Sequence, residues 1–90
     1  MRSRFDLADL SRALLGGADL RQATFVEAKL RFAVLDHAKL DGASFAGAKL
    51  EGASLHRVAE QGTLWRDADM SNVAKTDAAR AKAEDFGGGA

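Results

Sequence analysis

Asp36, His37, Ser54 and His56 are the residues in this chain whose types and spacing could do chemistry. A serine, a histidine and a carboxylate are the parts of a nucleophilic hydrolase: the imidazole takes the hydroxyl proton and the carboxylate orients the imidazole. Two imidazoles with a carboxylate could instead hold a divalent transition metal. Ser54, however, stands only two residues from His56, with Asp36 twenty residues away. Neither a pocket nor an oxyanion hole is foreseeable around them. The two histidines follow no established ligand spacing. The expectation is a non-catalytic protein without metal, cofactor or small-molecule substrate.

The elements that position these residues are set by a repeat. Phe5, Leu10, Leu15, Leu20, Phe25, Leu30, Leu35, Leu40, Phe45, Leu50 and Leu55 recur at intervals of five, and a small residue (Ser3, then Ala8 through Ala53) stands two places before each. The large residue is the centre of its unit. A helix turns about 100° per residue, so this series would smear around its surface. A flat strand fails because five is odd and alternate centres would face opposite ways. Short extended sides, each followed by a corner, keep every centre inside a closed coil.

A second period counts the sides. Phe5, Phe25, Phe45 and Trp65, the aromatic centres, lie twenty residues apart. Four sides of five residues stack them into one ladder, with coils about 4.8 Å apart. Alanine suits the small position because the narrow interior leaves no room for more.

The units ADLSR, ALLGG, ADLRQ, AKLRF, AKLDG, ASFAG, AKLEG and ASLHR resemble the A(D/N)LXX motif of the pentapeptide-repeat family. The resemblance covers residues 3–57 without a break and residues 63–74 less closely. It implies an all-β solenoid, a right-handed quadrilateral (four-sided) β-helix of just under four coils. Residues 3–74 form the expected β-helix, residues 76–86 a C-terminal capping helix, and residues 87–90 a flexible tail. Thr76 can N-cap that helix, and Ala79, Ala83 and Phe86 share one stripe to cover the open end of the core.

The pattern breaks at VAEQG, residues 58–62, where Glu60 takes a centre. A lone carboxylate in that core would cost several kcal/mol. This side is expected to bulge or to swing Glu60 into water. His56, Arg57, Glu60 and Gln61 then form a candidate recognition loop.

Thirteen basic residues balance thirteen acidic ones, without a basic excess for nucleic acid or an acidic one for a protein that imitates it. Prolines and cysteines are absent, and no stretch approaches membrane-span length. The expectation is a cytoplasmic protein that binds neither membrane nor nucleic acid directly.

Outward positions flank each centre. Leu14 and Val34 occupy equivalent ones on successive coils, with Phe32 at the adjoining corner. Such an apolar patch is the candidate interface. The preferred function is a protein–protein interaction scaffold, with a homodimer as one form. The family resemblance implies an alternative, a DNA-mimicking protein that binds a topoisomerase such as gyrase. A purely structural solenoid without a ligand is the third reading.

Overall fold

The structure, a computed structural model, describes residues 3–75. Each five-residue unit repeats one cycle: a small inward residue, an outward residue, an inward centre and two turn residues. The outward residues make isolated parallel bridges, among them Leu14 to Val34, Lys29 to Lys49 and Ser54 to Ala74, and every bridged pair is twenty residues apart. Twenty residues therefore close one coil of four faces. Successive faces have their centres at Phe5, Leu10, Leu15 and Leu20.

Three backbone hydrogen bonds per unit tie each coil to its neighbours. The Phe25 N–H donates to Ser44 O (2.7 Å), the Glu27 N–H to Ala46 O (2.8 Å), and the Lys49 N–H back to Ala28 O (2.9 Å). At every described corner but the one after Leu55 the chain closes on itself, as where the Ala28 N–H donates to Phe25 O (3.1 Å). The second turn residue takes a positive φ, which is the mark of a type II turn. Glycine fills that position at Gly17, Gly42, Gly47, Gly52 and Gly62, whereas nine non-glycine residues, Leu7 and Phe32 included, adopt φ of 52–65°. Left-handed backbone costs an L residue roughly 1–2 kcal/mol. It persists here because the ladder bonds on either side fix the corner.

The first turn residue donates to none of these backbone acceptors, and aspartates serve several of its N–H groups. Asp9 accepts from Ser11 (3.1 Å), Asp19 from Arg21 (3.3 Å) and Asp69 from Ser71 (3.0 Å), each two residues on. Asp6 and Asp41 instead accept from the next coil, from Val26 and Gln61, both at 2.9 Å. This is the physical reason for an acidic residue before the centre: its carboxylate completes an Asx-type turn.

The core is one column of side chains. Ala23 through Leu55 at the small and centre positions are buried, with Phe5, Leu10, Leu15, Trp65 and Met70 partly buried against them at the two ends. The rings of Phe5, Phe25, Phe45 and Trp65 stack on the first face at centroid separations of 5.0, 4.6 and 4.6 Å. Each such pair adds about 0.5–1.5 kcal/mol to the area it buries.

The bulge expected at residues 58–62 is not formed. The Ala59 N–H donates to Ala38 O (3.0 Å) and the Leu40 N–H to Ala59 O (2.7 Å), so the ladder runs through the irregular unit in register. The Glu60 side chain, 41% exposed, turns outward and meets Lys75 at 3.7 Å. Val58, at a position held by alanine from Ala8 to Ala53, packs against the core. Thr63, at the next small position, donates its hydroxyl to Leu40 O (2.6 Å). The expected capping residues Ala79, Ala83 and Phe86 lie outside the described residues.

Candidate interaction surface

The Asp36 carboxylate accepts a short hydrogen bond from the Ser54 hydroxyl and a second bond from the His56 backbone N–H (3.3 Å). This is a structural assembly. The serine proton is directed at the carboxylate, whereas a hydrolytic triad directs it at the imidazole. His56 is 2% exposed, and its ring meets that of His37 edge-on at 5.4 Å. Among the described residues, no group of three or more His, Asp or Glu side chains could hold a metal ion.

The members of the expected recognition loop are therefore separated. His56 is buried and Arg57 half-buried at one corner, while Glu60 and Gln61 are exposed on the next one. Gln61 gives its backbone N–H to Asp41. The sequence break was visible, but the ladder bonds that hold the unit in register carry no side-chain signature.

The apolar candidates form a surface. Leu14 is 82% exposed and bridges to half-buried Val34 on the next coil. Phe32 is 51% exposed at the corner beside them. Its ring lies against the corner one coil on: a Cβ built on Gly52 would stand 2.5 Å from Phe32 Cε1. The Arg12 guanidinium approaches the same ring from the preceding coil, 5.4 Å from the centroid. Arg12, Phe32 and Gly52 hold the same turn position on three successive coils, and the missing glycine side chain gives the ring its seat. Below them the outward column continues with Ser54 and Ala74, so this face carries no charge in its outward column. Leu7 and Leu64 are also well exposed, singly and away from this edge; their solitary positions in the repeat gave no reason to select them.

Two of the other faces are charged with mixed sign. One outward column reads Asp9, Lys29, Lys49, Asp69, and another holds Asp19 and Lys39. The Ser11 hydroxyl and N–H, assisted by Lys29 and Arg31, keep the Asp9 carboxyl below its ordinary range. Ser71, assisted by Arg31 and Lys49, does the same for Asp69. Asp19 is lowered to about 2 by its hydrogen bonds from Arg21, whose guanidinium lies 2.7 Å away. All three are exposed, so their charges are strongly screened.

The sequence profile described as Pentapeptide repeats (8 copies) matches residues 3–42 and 28–58, more than half of the chain. The chain belongs to the pentapeptide-repeat family. Pentapeptide-repeat proteins form right-handed quadrilateral β-helices, and the coils described above have that four-sided plan. They are generally non-catalytic. Rfr23, a pentapeptide-repeat protein from the cyanobacterium Cyanothece 51142, is 25% identical with a TM-score of 0.61, over 82% of this chain and 54% of that one. A trypsin-treated variant of QnrB1, a plasmid-mediated fluoroquinolone resistance protein, is 18% identical with a TM-score of 0.53, over 97% of this chain and 44% of that one. The second likeness is one of fold alone. This pentapeptide-repeat chain spans about half the length of each structure. No protein with a curated description matches it.

Proposed function

We propose that this pentapeptide-repeat chain is a non-catalytic, cytoplasmic scaffold that binds another protein through the edge formed by Leu14, Phe32 and Val34. The observation that carries the reading is the exposure of Leu14 and Phe32 on a rigid ladder, beside an outward column without charge. Covering apolar surface contributes about 25 cal/mol per Å². A preformed edge also loses little conformational freedom on binding. The homodimer is the simplest form of the interaction, with the same edge meeting its copy.

The alternative, a DNA-mimicking protein that binds a topoisomerase such as gyrase, requires a continuous acidic stripe. The mixed columns Asp9–Lys29–Lys49–Asp69 and Asp19–Lys39 weigh against it. The test is the pair Leu14→Glu/Val34→Lys, compared with the parent by light scattering and by affinity capture from a cell lysate. The expected result is a lower mass or the loss of a captured protein. Unchanged mass together with unchanged capture rejects the reading and leaves a purely structural solenoid.

A further inference from the structure

The column Asp9–Lys29–Lys49–Asp69 contains an arrangement that stability alone would avoid. Lys29 and Lys49 are bridged directly, one coil apart, at a strand spacing of about 4.8 Å. Like charges placed opposite one another on adjacent strands destabilise the pair. Arg31 adds a third cation at the adjoining corner. Asp9 is bridged to Lys29 and Asp69 to Lys49 at the two ends of the column, so each lysine has one carboxylate neighbour while the central contact stays one of like charge. Among the described residues, Lys29, Arg31 and Lys49 make no ion pair within 4.0 Å. Phe32 follows Arg31 directly in the chain, and Arg12 lies over its ring. Round the corner stand Leu14 and Val34. One side of this solenoid edge therefore carries the three cations at its middle, with Asp9, Glu51 and Asp69 around them, and the other side carries apolar side chains.

We propose that this edge docks an acidic segment of a partner protein, its carboxylates on Lys29, Arg31 and Lys49 and an apolar side chain against Phe32, Leu14 and Val34. The proposal rests on the protein-binding reading above and supplies the chemistry of the partner. The observation favouring a peptide over a nucleic-acid strand is the aliphatic half of the edge: Leu14 and Val34 offer nothing to a phosphate, whereas cations beside apolar side chains match an acidic, amphipathic segment. Lys29 and Lys49 are recognition residues under this assignment. Their mutual repulsion is relieved when the partner's carboxylates arrive between them.

The test uses the full chain with two fluorescein-labelled probes, a peptide alternating glutamate with leucine and an oligo-dT strand, read by fluorescence anisotropy at low salt. The peptide is expected to bind, and to lose affinity about tenfold in Lys29→Gln/Lys49→Gln and again in Phe32→Ala. Its binding weakens as ionic strength rises past about 0.15 M. The double Lys→Gln protein melts no lower than the parent, because a like-charge contact has gone; a purely structural role for the lysines would lower its melting temperature. Three results overturn the proposal: no peptide binding, peptide affinity indifferent to the lysine replacements, or oligo-dT binding as tight and as lysine-dependent, which would make the cluster a phosphate site. If Leu14→Glu/Val34→Lys abolishes peptide binding and the lysine variant does not, the protein-binding reading stands and this one falls. If neither has an effect, both fall.

Discussion

Leu40 and Glu60 hold the same position on the same face, one coil apart, yet one is buried and the other stands in water against Lys75. The backbone around them hardly registers the difference. Leu40 gives its N–H to Ala59 O at 2.7 Å, and Leu20 one coil earlier gives its own to Lys39 O at 2.8 Å. Register therefore lives in the ladder of backbone bonds, while the centre residue decides how much core a coil contributes. The centres from Leu20 to Leu55 are all buried. Towards the end of the coil the constraint loosens: a carboxylate can leave, Val58 packs only partly buried against the core, and Thr63 bonds Leu40 O.

The strongest way to break this comparison is to place the end-coil residue in the middle. Leu40→Glu puts a carboxylate where neighbours close every exit, at a cost of several kcal/mol. Native stabilities are about 5–15 kcal/mol, and small domains sit at the lower end. The variant is expected to be largely unfolded by circular dichroism at room temperature. A well-folded Leu40→Glu protein would show that the middle coils open as readily as the last.

A second contrast separates two glycines that share the turn conformation. An alanine at Gly52 meets the Phe32 ring at 2.5 Å, whereas at Gly62 its Cβ finds only Gly42 N at 4.0 Å. Both changes carry the left-handed backbone cost of about 1–2 kcal/mol. Gly52→Ala is expected to cost up to about 1 kcal/mol more, the scale of an off-rotamer side chain, and to displace Phe32 from its seat. Denaturant titration gives the stabilities, and the Phe32 ring resonances report the displacement.

The end of the fourth face offers a gain. Glu60→Leu alone must share its space with Val58, so it is expected to change stability by less than about 1 kcal/mol. Combined with Val58→Ala, which restores the alanine of the pattern, it is expected to stabilise by about 1–2 kcal/mol through the buried side chain. The two positions lie two residues apart in one unit, and the substitutions are not expected to be additive. A double-mutant cycle in urea measures the coupling.

The smallest effect is electrostatic. Asp9, Asp19 and Asp69 have carboxyls below the ordinary 3.8 when folded, Asp19 at about 2. A depressed folded pKa stabilises above the unfolded value and loses that contribution as pH falls through the folded one. The melting temperature should hold steady down to about pH 4 and then decline between about 4 and 2. Asp19→Asn should flatten part of that decline.

The fold was legible because its two periods are written in the side chains. Phe5, Phe25, Phe45 and Trp65 stack as one column, and their spacing of twenty already counts the faces. The surface was legible only in part. Leu14, Val34 and Phe32 could be placed on one edge by register, but the seat that Gly52 provides for Phe32 is a matter of rotamer and contact. The work of Asp9, Asp19 and Asp69 was hidden too, although a signal existed: each precedes a centre and stands two residues before the first turn residue, whose N–H needs an acceptor. The straight path through residues 58–62 had no such signal, since backbone bonds between coils are indifferent to side-chain identity.

Bridging at a fixed offset of twenty limits how such a chain can change length. Gaining one unit of five would rotate everything downstream by a quarter turn, setting phenylalanines over leucines and lysines over other partners. Gaining a whole coil leaves every vertical neighbour of the same kind as before. Length in this architecture is quantised, and duplications that respect the coil are the ones its aromatic column can survive.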